Sequence, residues 1–172
     1  MKYTNFKDIP KFTSWGSYNA NVNFKYLLSQ LKAYEKDGLQ YCPDFQRGHV
    51  WNKEQQIKFI EYMLRGGKSA RIIYFNHPGW MGNWKGDFVV VDGLQRLTAA
   101  KKFLNNEISV FGTYCKDFED KLSNDVDFIF NINNLKTRKE VLQWYIEFNS
   151  GGTVHTKEEI DKVKKLLEQE VK

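Results

Sequence analysis

Val89-Val90-Val91-Asp92-Gly93-Leu94-Gln95-Arg96 is the stretch whose reading decides the fold. Its short β-branched run suits a central strand, and from Leu94 to Leu104 the apolar residues take helical spacing. The reading is therefore a buried strand that delivers polar groups to a strand-to-helix turn. Gly93 permits a tight turn and a close approach of backbone to ligand. A helix starting there aims its unpaired N–H groups and positive dipole end at whatever lies beside Asp92, with Arg96 in the first turn. That is an anion site in outline.

Outward from this stretch, elements follow from periodicity. Residues 1 to 21 show no clean period and read as an irregular arm, with Ile9, Phe12 and Trp15 as docking points. Phe24, Leu27, Leu28, Leu31 and Tyr34 recur at three- and four-residue steps, which predicts a helix ending near Asp37-Gly38. Asn52 is an N-cap for a second helix, Lys53 to Arg65, stopped by Gly66-Gly67. Arg71 to Phe75 and Asp87 to Val91 read as strands. Between them lies a loop of turn residues and two tryptophans, His77 to Gly86, which reads as a hairpin cap or a lid. Ile108 to Tyr114 reads as a strand, and Val126, Phe128, Phe130 and Ile132 alternate with polar residues as a half-buried strand does. Thr137-x-x-Glu140 and Thr156-x-x-Glu159 are capping-box signals for two last helices, joined by Asn149 to His155. The sum is a single domain of interspersed strands and helices over residues 22–172 that ends in two helices.

At 172 residues and 41% hydrophobic content the chain is long enough to bury a core without metal or disulfide help. No apolar run of about 18 residues occurs, and the start lacks a basic-then-apolar signal pattern, so the expectation is a soluble cytoplasmic protein with no membrane contact. Cys42 and Cys115 are two isolated thiols, too few for a disulfide framework or a zinc cluster. His49, His77 and His155 lack ligand spacing. A formal charge of +5 suits nucleic acid or nucleotide phosphates without singling out either.

Three polar clusters stand at the ends of elements, where binding groups tend to sit: Asp44 to His49, Asp92 to Arg96, and Asn149 to His155. If they converge, Arg47 and Arg96 form a two-armed clamp, because guanidinium forks match phosphate oxygens. Asp92 would then hold a divalent cation or orient a water, since a carboxylate beside phosphate is repulsive unless a metal lies between. Gln46, Gln95 and Asn149 would position water or read a base edge. The structural alternative stays open: Asp92 caps the helix and pairs with Arg47 or Arg96, and the Asn149 segment merely connects two helices.

Pro43-Asp44-Phe45-Gln46-Arg47 with Trp51 four residues on, then Val91-Asp92-Gly93-Leu94-Gln95-Arg96-Leu97-Thr98, then Phe148-Asn149-Ser150-Gly151-Gly152, resemble the N-terminal domain family of GmrSD-type modification-dependent restriction enzymes. The three segments occur in the family's order and span about residues 40 to 165. The resemblance implies an α+β domain of ParB/sulfiredoxin-like fold, a small mixed sheet flanked by helices with a C-terminal helical pair, and a nucleoside triphosphate as substrate or ligand. By matching position, Asp92, Gly93, Gln95 and Arg96 form the core of the site, Gln46 and Arg47 face them, and Asn149 and Gly151 lie near the phosphates or metal. Sulfiredoxin chemistry is not implied, because the cysteine it needs is absent from the turn. Leu94 stands where the family has its first glutamine, which removes one water-orienting amide. The family's separate nuclease domain has no room in this length. The short form also resembles stand-alone members in phage genomes, which implies a bacterial or phage-infected host cell.

The function expected is a metal-dependent nucleoside triphosphate hydrolase or phosphotransferase in DNA-related phage or defence biology. Asp92, Arg96, Gln95 and Arg47 would be its catalytic residues, Gln46, Arg47, Gly93, Arg96, Asn149 and Gly151 would bind nucleotide, and Asp92 would hold Mg²⁺. One alternative is a DNA nuclease using the same pocket. Another is a non-catalytic regulator that binds DNA or protein.

Overall fold

Strand β3, Val89–Asp92, is apolar at successive positions because both its faces are covered. Val90 packs into one core with Ile73, Phe75, Phe128 and Phe130, while Val89 and Val91 pack into a second with Val141, Leu142 and Tyr145. A strand half-exposed to water would have alternated with polar residues. The computed structural model describes residues 2–10, 18–46, 48, 50–150 and 157–170.

The sheet has the order β1-β4-β2-β3, with β1 Tyr18–Asn23, β2 Ile72–Asn76 and β4 Asp127–Asn133. β1 runs antiparallel to β4, β4 parallel to β2, and β2 antiparallel to β3, so the sheet is mixed as expected. Helices α1 Phe24–Lys36, α2 Lys53–Leu64 and α3 Leu94–Leu104 supply the first core on one face. Helices α4 Arg138–Ser150 and α5 Lys157–Gln169 form the C-terminal pair, and Val163 of α5 joins the second core on the other face. The architecture is α+β.

Local chemistry sets the helix starts. Asn23 Oδ1 accepts the Lys25 N–H at 2.8 Å. Asn52 and Gln55 exchange side-chain and backbone bonds in a full capping box, both at 2.9 Å. Thr137 and Glu140 do the same at α4, where the Thr137 N–H donates to Glu140 Oε2 at 2.9 Å and the Glu140 N–H to Thr137 Oγ1 at 3.2 Å. Thr156 lies outside the described residues, although α5 begins just after it.

Three readings are corrected. The arm expected over residues 1–21 ends in strand β1, whose Tyr18, Ala20 and Val22 pair opposite Ile132, Phe130 and Phe128. Its asparagines at alternate positions, residues depleted in strands, masked the period of two. Ile108 to Tyr114 is not a strand: Phe111 and Gly112 take φ of 49° and 80°, and the segment folds into a tight turn closed by Val110 and Thr113. Asn149 and Ser150 belong to the last turn of α4 rather than to a connector.

The outer edge of β3 is not left open. The Val90 N–H donates to Gln40 O at 2.9 Å, and the Gln46 side-chain amide donates to Val90 O at 3.0 Å and to Tyr41 O at 2.9 Å. The two-tryptophan loop joins β2 to β3, antiparallel neighbours, so of its two readings it is the hairpin connection. Among the described residues no helix is long and apolar enough to cross a membrane.

Candidate functional site

β3 ends at Asp92 because Gly93 turns the chain. Its φ is 107°, a conformation side chains disfavour, and a Cβ there would lie 2.6 Å from Ile73 Cδ1. No side chain caps the α3 start that follows, so its first-turn N–H groups face the end of the strand with the positive end of the helix dipole behind them. On β2 a register shift between Tyr74 and Phe75 sits directly opposite, with Tyr74 paired to Asp92. Such bulges re-aim side chains at sheet edges.

Arg96 reaches back one turn to pair with Asp92. The same guanidinium donates through Nη1 to Ala70 O at 3.1 Å and to Ile72 O at 2.7 Å. It thereby ties α3 to the entry of β2. Of its five N–H groups, Nε–H and one on Nη2 point to no bond among the described residues. Arg96 is 15% exposed and Asp92 30%, so the pair stands at the wall of a cleft rather than inside the core.

Gln95, the neighbour of Arg96, grips a different segment. Its Oε1 accepts from the N–H groups of Val50 and Trp51 at 2.9 and 3.1 Å, and its Nε2 donates to Gly48 O at 3.1 Å. Gly48, Val50 and Trp51, which follow Arg47 closely in sequence, are thus fastened to the start of α3. The result is a cleft of about 190 Å³ walled by Gln46, Trp51, Asp92, Arg96 and Tyr145, among others.

Of the expected site residues, Gln46, Asp92, Gly93, Gln95 and Arg96 all border this cleft. Asn149 does not; its Nδ2 donates to the carbonyl of Tyr145, which does, at 2.8 Å. Arg47 and Gly151 lie outside the described residues. The amides of Gln46, Gln95 and Asn149 each bond to backbone. Asp44, from the first cluster, meets Arg138, whose Nη2 contacts its two carboxylate oxygens at 2.9 and 2.7 Å. That pair joins the segment before the cleft to α4.

Two aromatic wall residues, Trp51 and Tyr145, were not among the site residues expected from the sequence, although Trp51 belongs to the motif that carries the resemblance. Tyr145 was legible only as part of the apolar face of α4, and it packs on Phe45 at 5.3 Å between ring centroids. Among the described residues no three His, Cys, Asp or Glu side chains cluster to hold a metal ion. His77 lies buried in the tryptophan loop, where its Nδ1 accepts the Gly79 N–H at 3.0 Å, and burial holds its pKa below the ordinary value.

A model of the family described as the GmrSD restriction endonuclease N-terminal domain matches residues 27–170. No curated protein and no solved structure matches the chain. The match runs from within α1 to the end of α5 and takes in each described residue of the cleft. By that extent the chain belongs to the GmrSD restriction endonuclease N-terminal domain family, and so to restriction-related, DNA-related biology.

Proposed function

We propose that the chain is a nucleotide-binding domain with a ParB/sulfiredoxin-like fold that hydrolyses a nucleoside triphosphate or transfers its phosphoryl group. The observation that carries this reading is the cleft at the end of β3, where the uncapped start of α3, the Arg96 guanidinium and the Asp92 carboxylate face one space. Backbone N–H groups and two free guanidinium N–H groups would bind phosphate oxygens whose charge grows in the transition state. Gln95 enters as a positioning residue, because its bonds hold Gly48, Val50 and Trp51 against the helix start. Arg47, next along the chain, would supply the second cation, and Gln46, Asn149 and Gly151 would complete the nucleotide contacts.

Magnesium fits this donor set only as a shared ion. Asp92 gives Oδ2 to Arg96, while Oδ1 has no partner among the described residues. One carboxylate is enough when nucleotide phosphates and water complete an octahedron, as Mg²⁺ usually arranges. Bound there, the ion would neutralise charge between the β- and γ-phosphates. The nuclease reading ranks lower, because two-metal phosphodiester cleavage needs several carboxylates and Asp92 is the acid that lines the cleft.

Calorimetry with ATP, GTP and CTP in the presence of Mg²⁺ tests the proposal. Binding should fall at least tenfold in Asp92→Asn and Arg96→Ala, each shown by circular dichroism to be folded at the assay temperature, and phosphate release should vanish with it. No binding of any of the three nucleotides by the wild-type chain sinks the reading. Metal-dependent nicking of plasmid that disappears in Asp92→Asn would replace it with the nuclease.

A further inference from the structure

At the opposite end of β3 from Asp92, the loop between β2 and β3 presents an indole that nothing described above uses. Trp84 is 49% exposed and takes a φ of 54°, a conformation that a bulky side chain disfavours. Its ring lies 4.7 Å from Trp80 and 5.3 Å from the buried His77 ring, centroid to centroid, so its inner side is seated and its outer side open. The loop is built to hold this pose. The Trp84 N–H donates to Gly79 O at 3.0 Å, and the Lys85 N–H to Asn83 Oδ1 at 3.0 Å. A Cβ on Gly79 would meet Lys85 N at 2.6 Å, and one on Gly86 would meet Pro78 Cγ at 2.3 Å. The loop's own bonds and close glycine contacts thus hold the half-exposed indole in a conformation that a free turn would not favour.

The same loop borders an open groove of about 460 Å³ lined by Met81, Asn83, Lys85, Asn134 and Lys136, among others, with no carboxylate in its lining; Trp84 is not in that lining but stands in the chain between Asn83 and Lys85, which are. Lys136 is anchored to the loop by a bond from Nζ to Pro78 O and keeps two further donors. Asp87, the nearest acid in sequence, lines a neighbouring cavity instead. Two cations, two side-chain amides and one open indole form a combination suited to a polyanion that carries flat bases. An acidic peptide would use the lysines but leave the indole face idle.

We propose that this loop is a second binding site, for a single strand of nucleic acid, in which an unstacked base lies on Trp84 while neighbouring phosphates meet Lys85 and Lys136. Stacking on an aromatic side chain tolerates any base, because every base has a π-face. The site does not depend on the nucleotide reading of the Asp92 cleft, since the two lie at opposite ends of β3.

Fluorescence anisotropy of labelled oligothymidylate and oligouridylate, with a duplex of matched length as the third arm, tests the proposal on the whole chain. Wild type should bind the single strands more tightly than the duplex, and the DNA and RNA arms identify which strand is preferred. Trp84→Gly, which removes the ring and relieves the positive φ, should weaken binding about fivefold to a hundredfold. Trp84→Phe should retain most of the affinity, which covers the case where the glycine variant does not fold. Lys85→Ala with Lys136→Ala should reduce the slope of log affinity against log salt by about 1.4, two phosphates at about 0.7 each. Asp92→Asn should leave all these affinities unchanged. Equal affinity for duplex, unchanged binding in Trp84→Gly, an unchanged salt slope, or no binding at low salt overturns the proposal; retention of a protein on the loop in place of the oligonucleotides would do so too.

Discussion

Replacing Gly93 with alanine should destabilise the chain through two separable causes. The new Cβ would sit 2.6 Å from Ile73 Cδ1, 3.0 Å from its Cγ2 and 3.4 Å from its Cα. Ile73 is fully buried in the first core, so it has no open space to swing into. Overpacking of this kind costs about 1–3 kcal/mol. The backbone adds its own term, because φ of 107° is foreign to an L side chain and an outlier costs about 1–3 kcal/mol. Together they come to roughly 2–6 kcal/mol, which in a domain of this size lowers Tm by roughly 4–24 °C. Thermal unfolding followed by circular dichroism measures it. Ile73→Val separates the causes, since it deletes the Cδ1 atom in the closest contact and alone costs about 0.5–1.5 kcal/mol. In the double variant the steric part should shrink while the φ part stays. The losses should then sum to less than additive by more than about 0.5 kcal/mol. A Tm for Gly93→Ala within about 1 °C of wild type, or strict additivity with Ile73→Val, would refute the reasoning.

Arg96→Lys keeps a cation near Asp92 but cannot span the carbonyls of Ala70 and Ile72, so urea unfolding should show a loss of about 1.5–3 kcal/mol. A neutral result would mean that α3 is not held to β2 through that guanidinium. Arg71 and Asp127 form a pair only 12% and 18% exposed, at 2.6 Å, with Arg71 Nε also on Gly67 O at 2.8 Å. Asp127→Ala strands the guanidinium and should cost about 3 kcal/mol, seen as a fall in Tm of roughly 6–12 °C. His77 has its pKa lowered by burial, so the unfolded chain binds a proton at a higher pH than the native one does. Its contribution to stability is whole above pH 6.5 and is lost as pH falls through the native value. Tm measured between neutral and mildly acidic pH should fall more steeply in wild type than in His77→Gln, and parallel curves would contradict this.

The parts of the fold that follow from neighbouring residues were legible. Asn52 with Gln55, and Thr137 with Glu140, announce helix starts because a cap is a bond across three residues. The β-branched run at Val89 announces a strand covered twice. Strand order was not legible, since β2 pairs in parallel with β4 across a span that includes β3 and α3. The site shows the same division. Asp92 and Arg96 are one helical turn apart, so their pairing could be read from the sequence as one of the open alternatives. Gln95 bonds across 44 to 47 positions and Asp44 meets Arg138 across 94, and no local pattern encodes either. The amides expected to face a ligand hold backbone instead: Gln46 and Gln95 meet carbonyls and N–H groups of other segments, a demand visible only once those segments are adjacent, while Asn149 bonds one turn back along its own helix.

Gln95 and Arg96 are consecutive, yet they hold stretches that lie on either side of α2: Gly48, Val50 and Trp51 on one, Ala70 and Ile72 on the other. Neither grip forms until residues 24 to 47 positions away stand beside the start of α3. A fragment that lacks Gly48, Val50 and Trp51 keeps the eight-residue motif intact and loses Trp51 from the cleft wall, while one that lacks Ala70 and Ile72 loses the carbonyls that hold Arg96. Possession of the motif in a sequence thus certifies little by itself: the two distant stretches it grips are part of the same device and would have to be inherited, transplanted or deleted with it.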